Sequence, residues 1–346
     1  MKKVLLLSTI SLFLPTTIFA ESNASNIVKI NMPEVPKATT AIPKVELHYN
    51  KKDKESVNTD RSIKFSKRVP PNYLTSAERY GKGGVGASLS HSKAMVGDVD
   101  KGRISAYLRA DLMSVEKAKA KLKKAGFEIV AVTPLDESGE LISIVFTNDR
   151  LKKMASKKGK GYLATLRLLI DPKNKQISIT NPLYLSKAFL QDDFNEEEAK
   201  KVLKALDSEF KSAKNSLDKL KFQALPNYNF MKGMPHFGDQ IVVASGKELK
   251  AKALKNKNVA FVLDLPNNST LIGVKLGKKA NIFPQRIGTN NAGMLPYPVL
   301  IEDGEAKILD PKYYLALMYP ELKIEGFMTI AMIPRAIKND CKKVFK

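Results

Sequence analysis

The sequence is poor in the residues that build metal and cofactor sites. Of its 346 residues one is a cysteine, Cys341, which excludes an intramolecular disulfide and any cysteine-based zinc site. Its three histidines, His48, His91 and His236, lie far apart, so no pair has the spacing of ligands on one helix or hairpin. Acidic residues are in the minority: 35 Asp and Glu stand against 58 Lys and Arg, a formal charge of +23. Long apolar runs are missing too. The run Val4 to Leu14 would span about 16 Å as a helix, against roughly 30 Å of hydrocarbon, and no later stretch approaches eighteen apolar residues. No transmembrane segment is therefore expected. With 43% hydrophobic residues the chain is still a folding chain, long enough for two domains.

What is present begins with an address. Lys2 and Lys3 precede the apolar run, Pro15 breaks it, and Ile18-Phe19-Ala20 puts a small residue at a cleavage position. Residues 1–20 read as a secretory signal peptide cut after Ala20, and no cysteine follows for lipid attachment. The expected compartment is the periplasm or outside, where ATP-driven chemistry and nucleic acid are not expected despite the positive charge. Lys82-Gly83-Gly84-Val85-Gly86-Ala87-Ser88 imitates a phosphate-binding loop but has Ala87 where the lysine belongs, and neither a strand nor a helix flanks it. It is read as a glycine loop. Asn23 lies in an Asn-x-Ser acceptor sequence.

Proline, lysine, serine and asparagine dominate residues 21–101, read as an extended linker arm with one short strand near Val45 to Tyr49. From Gly102 hydrophobic periodicity sets in, and segments recur. At an offset of 132, Leu122 meets Leu254, Val130 meets Val262 and Pro134 meets Pro266. After small gaps, Leu168 to Asp171 meets Val299 to Glu302, and Asn181 to Tyr184 meets Asp310 to Tyr313. The expected architecture is α+β: two tandem duplicated sandwich domains, residues 102–194 and 239–346, each a mainly antiparallel sheet with helices on one face. Ser114 and Asn195 are expected helix N-caps, and Gly126 a helix stop. Residues 195–222 are read as one long amphipathic helix, because Ala199, Leu203, Leu206, Phe210, Ala213, Leu217 and Leu220 recur at steps of three and four. Such a seam packs within its own chain, giving a monomer, or joins two copies as a homodimer. Residues 223–238 form an inter-domain loop.

The stretch Met294-Leu295-Pro296-Tyr297-Pro298-Val299-Leu300-Ile301-Glu302, followed by Asp310-Pro311, resembles the family numbered 302 among the domains of unknown function. That family has a Leu-Pro-Cys strand ending in an acidic residue, then a turn, a short strand and Asp-Pro. The likeness covers Asp239 to about Ile337 and reaches the first unit through the repeat. It implies a small α+β domain without an established enzymatic activity. Tyr297 stands where the family commonly has cysteine, so thiol chemistry is not implied.

The loops Lys158 to Gly161 and Asn290 to Gly293 occupy matching places in the two units, and paired loops at one end of a sheet would line a ligand cleft. Arg286, Asn290, Tyr297, Glu302 and Tyr313 are the candidate ligand-binding residues. Arg150, Lys152, Lys153, Lys157, Lys158 and Lys160 gather six positive charges into eleven residues, a candidate anion patch. Met231, Met234 and His236 form a soft donor set that would suit Cu(I). No catalytic constellation is legible and no cofactor is expected. The resulting expectation is a periplasmic or secreted, non-enzymatic binding or accessory protein with an anionic ligand or envelope partner. The alternatives are a hydrolase or transferase with an inter-domain cleft, and a copper-binding protein.

Overall fold

Alternating apolar residues and well-placed caps set the elements of both halves. The computed structural model describes residues 95–346. The expected signal peptide, most of the expected arm with its short strand near Val45, the glycine-rich segment and Asn23 lie outside the described residues. Packing begins before the expected boundary at residue 101. Gly97 donates its N–H to Asn215 Oδ1 at 2.7 Å, and its carbonyl accepts from Asn181 Nδ2 at 2.8 Å.

In the first half the order is β1 Arg103–Ser105, β2 Tyr107–Asp111, α1 Val115–Lys124, β3 Glu128–Pro134, β4 Ile142–Thr147, α2 Asp149–Met154, β5 Leu166–Asp171, β6 Gln176–Thr180 and α3 Pro182–Leu190. A 3₁₀ turn, Gly161–Ala164, precedes β5. Then follow α4 Glu196–Glu209, β7 Lys214–Asn215 and β8 Lys219–Lys221. The second half comprises β9 Ile241–Ser245, α5 Leu249–Lys255, β10 Val259–Asp264, β11 Thr270–Val274, α6 Lys278–Asn281, α7 Phe283–Ile287, a 3₁₀ turn Thr289–Met294, β12 Tyr297–Glu302, β13 Glu305–Ile308 and α8 Pro311–Met318. Helices α9 Ile324–Thr329 and α10 Ile333–Lys343 close it. The class is α+β with antiparallel sheets.

Local chemistry explains the boundaries. The Ser114 hydroxyl accepts from Lys117 N, and Gly126 takes a positive φ beyond the end of α1. Asn181 and Asp310 cap α3 and α8, each followed by a proline at the first helical position, where no N–H is needed. Asn195 Oδ1 accepts from Glu198 N at 3.1 Å.

The two sheets share one strand order. The first runs β3-β4-β5-β6-β2-β7 and the second β10-β11-β12-β13-β9. Registers correspond as well. β3 and β10 carry a bulge at the same rung, and Leu168 faces Ile179 as Val299 faces Ile308. Keeping the bulges in step puts Val132, not Val130, at the place of Val262. The offset of 132 in this strand thus becomes 130, a two-residue slip that preserves the buried face.

Both sheets lie within one compact unit. The 3₁₀ turn of each half packs on the sheet of the other. A Cβ at Gly161 would run into the fully buried Leu300, while Gly293 lies against Tyr107 and Leu169, the residue at the register position of Leu300.

The long helix ends early. α4 stops at Glu209 and Phe210 leaves helical geometry at φ −110°, ψ 47°. The side chains of Asn215, Ser216 and Asp218 compete with helical hydrogen bonding, and segment 214–221 pairs with β2 and β1 instead. The face of α4 formed by Ala199, Val202, Leu203 and Leu206 is fully buried within the chain. That part of the expected seam packs within the chain, while Leu217 and Leu220 lie beyond the helix and Leu217 is 86% exposed.

Candidate functional site

The five residues read as a ligand set do not converge. Tyr297 and Tyr313 are core residues: Tyr297 donates its hydroxyl to Leu309 O at 2.9 Å, and the buried Tyr313 hydroxyl has no hydrogen-bond partner among the described residues. Arg286 donates to Thr329 O on the surface. Asn290 offers its carbonyl to Arg109, and Glu302 accepts from Gly159 N at 2.9 Å. The paired loops are thus an interlock of the two halves. Asp171, at the register position of Glu302, plays the same part, accepting from Thr289 Oγ1 at 2.9 Å.

Three of the six residues of the basic patch are ion-paired. Arg150 pairs with Glu198, Lys158 with Asp303 at 2.6 Å, and Lys152 with Asp149 at 2.8 Å and Glu128 at 3.5 Å. The hydrogen bond that Lys158 donates to the Asp303 carboxylate holds its ammonium above its ordinary pKa. Lys160 donates to Gln191 Oε1 and lies 4.7 Å over the Phe237 ring, and burial lowers its pKa. Lys153 and Lys157 make no ion pair among the described residues. In the methionine loop, Met234 N donates to Met231 O at 2.9 Å and His236 Nδ1 lies 3.0 Å from Asp239 Oδ2. Those are the contacts of a surface turn. Among the described residues no three His, Cys, Asp or Glu side chains gather as a metal site.

Two features were not legible. The first is a polar lock centred on Arg109 of β2. Its guanidinium donates to Ser178 Oγ at 2.6 Å, Asn290 O at 3.0 Å, Asp218 Oδ2 at 2.7 Å and Asn291 Oδ1 at 2.6 Å. Asn291 Nδ2 donates in turn to Asp218 Oδ1 at 2.7 Å. The guanidinium also lies 5.3 Å over the Tyr107 ring. A cavity of about 340 Å³ adjoins the lock, lined in part by Asp218, Tyr319, Glu321, Lys323 and Glu325. Arg109 spends its donors on protein acceptors, so it closes the junction between the halves and leaves no fork for an anion.

The second feature is a cationic ribbon. β1 and β8 pair so that Arg103 stands directly opposite Lys221, and Ser105 opposite Lys219. Arg103 turns its Nη2 to Lys219 O at 2.6 Å. Lys101, Arg103, Lys214, Lys219 and Lys221 have no carboxylate at ion-pair distance among the described residues. Leu217 projects from the same segment, 86% exposed. The signal was present in Lys214-Asn215-Ser216-Leu217-Asp218-Lys219-Leu220-Lys221, but the helical reading of 195–222 obscured it.

No helix among the described residues is long and apolar enough to cross a membrane. No family model, curated protein or solved structure matches the chain.

Proposed function

We propose that the chain is a non-enzymatic binding or accessory protein, periplasmic or secreted, that engages a phosphate-bearing anionic component of the cell envelope through the β1–β8 ribbon. The carrying observation is the cross-strand pair of Arg103 and Lys221 without a carboxylate neighbour. Like charges directly opposite one another cost stability, and an anion seated between them removes that cost. Leu217 adds an apolar tip to the same edge, a combination that suits an interface carrying both phosphate and acyl chains. The same reading takes the two halves as divergent copies of one unit resembling family 302.

Co-sedimentation tests the proposal. Mature chain is mixed with vesicles of phosphatidylglycerol and phosphatidylcholine, with vesicles of phosphatidylcholine alone, and with soluble polyphosphate as competitor. Each cation near an anionic surface is worth about 1 kcal/mol, so Lys219→Glu with Lys221→Glu should weaken anionic-vesicle binding by at least tenfold. Raised salt should weaken it as well. Competition by polyphosphate at matched phosphate concentration identifies phosphate as the recognised group, and its failure identifies the lipid surface. Equal binding to neutral and anionic vesicles, or an unaffected charge-reversal variant, overturns the proposal.

A further inference from the structure

We propose that the outer edge of β9 is a strand-addition site for an extended, acidic-flanked segment of another protein. The inference concerns a different surface from the ribbon and does not depend on it.

The fold supplies its own template. β2 and β9 hold the same position in their sheets, each as the fifth strand beside β6 or β13. Beyond β2 lies the segment 214–221, antiparallel, with Leu108 opposite Asn215 and Arg109 opposite Lys214. Ser216 N donates to Tyr107 O at 3.0 Å, and Ala106 N donates to Asp218 O at 2.8 Å. Beyond β9 no strand lies among the described residues. The other edge strands, β3 and β10, pack near one another. Of the two equivalent edges, the first half covers its own, and the second half has no covering strand among the described residues.

The chemistry of the two edges differs in the same sense. The covering segment carries Lys214, Lys219 and Lys221, the charges with which proteins blunt a sheet edge. β9 reads Ile-Val-Val-Ala-Ser, without a charge, and Val242 is 42% exposed. An uncharged, β-branched strand with unpaired backbone groups on one side is the receptor geometry for strand addition.

Charge selects the occupant. Lys247, two residues past β9, has no carboxylate at ion-pair distance among the described residues, whereas Lys307, opposite Val242 on β13, is held by Glu305 at 2.8 Å. A second copy would bring the same lysines and a charge of +23 against its twin. An acidic-flanked segment of a different protein brings complementary charge and alternating apolar side chains to lie beside those of β9.

The probe is a capped synthetic peptide, Glu-Val-Thr-Val-Thr-Val-Glu, with a lysine-ended counterpart and two versions N-methylated at alternate amides, one on each edge. They are titrated into isotope-labelled mature chain and followed by amide chemical shifts. The expected result is saturable binding with shifts centred on Ile241 to Ser245. Affinity should be at least tenfold stronger for the acidic peptide, and binding should be lost when one edge alone is methylated. Side chains are unchanged by methylation, so that loss reports backbone pairing. Absence of saturable binding up to millimolar peptide, shifts centred elsewhere, equal binding of the lysine peptide, or indifference to methylation of either edge each overturns the proposal. A concentration-dependent dimer of the chain alone whose interface shifts fall on β9 overturns it in favour of a second copy.

Discussion

Asp218→Ala should be among the most destabilising single substitutions outside the apolar core. The Asp218 carboxylate accepts from Arg109 Nη2 and from Asn291 Nδ2, both at 2.7 Å, and the two side chains of the ion pair are 16% and 11% exposed. Removing it strands a guanidinium donor and an amide donor where water reaches poorly. A hydrogen bond to a charged group is worth about 1.5–3 kcal/mol and a neutral one about 0.5–1.5 kcal/mol. Residual exposure places the sum at about 3 kcal/mol, the lower end of what breaking a buried pair costs. Urea unfolding of the mature chain measures it. Asp218→Asn should lose nearly as much, because its amide nitrogen meets another donor whichever way it turns. The double variant Arg109→Ala/Asp218→Ala should be less destabilised than the sum of its parts by about 1–2 kcal/mol, since the second substitution removes the group that the first orphaned. A loss below about 1 kcal/mol for Asp218→Ala, or additivity within about 0.5 kcal/mol, would show that the lock contributes little.

Two further outcomes follow from groups the fold leaves in unusual places. Arg167 is fully buried, donates to Thr165 and to Pro296 O, and has no partner for Nε, so Arg167→Met should be neutral or stabilising in urea unfolding; a loss above about 2 kcal/mol would show the charge to be essential. Burial raises the pKa of Tyr107, Tyr162, Tyr184, Tyr297, Tyr313 and Tyr319 well above the ordinary 10.0, and that of Tyr228 to about 12. Their neutral forms stabilise the fold fully below pH 10.0, and that stability is lost as pH rises through the folded values, so thermal melts should hold near neutral pH and fall steeply above about pH 10; a flat profile to pH 12 would refute the assignment.

The helix boundaries at Ser114, Gly126 and Asn195 were legible because their signals are local, each acting within one turn. The segment after Phe210 was not, because two periodicities compete there. Phe210, Ala213, Leu217 and Leu220 fit a helical step, while the strand buries Ser216 and Asp218 and exposes Leu217, reversing the usual polarity. Ser216 and Asp218 can face inward because β2 meets them: the Ser216 N–H bonds Tyr107 O, and Arg109 pairs with Asp218. That compensation spans more than a hundred residues of sequence, beyond the reach of any local pattern. For the same reason Arg109 looked like an ordinary strand residue, and Tyr297 and Tyr313 looked available when they were core.

The loops that seemed to frame a cleft explain where function can reside. Each half inserts its own 3₁₀ turn against the other's sheet, with Gly161 at Leu300 and Gly293 at Leu169, and each sheet's terminal carboxylate accepts from the opposite loop. An interlock of this kind is symmetric in its contacts, and it occupies the terminal carboxylates of both sheets. What it leaves unequal is the outer edge of the fifth strand. On one half a lysine-bearing segment covers that edge and gathers cations that have no counter-ion among the described residues; on the other the strand is uncharged and no described strand covers it. Two copies of one topology thus present two different surfaces. That difference is where the chain departs from its own internal symmetry, so both proposals are placed at that edge rather than at the junction that the symmetry consumes.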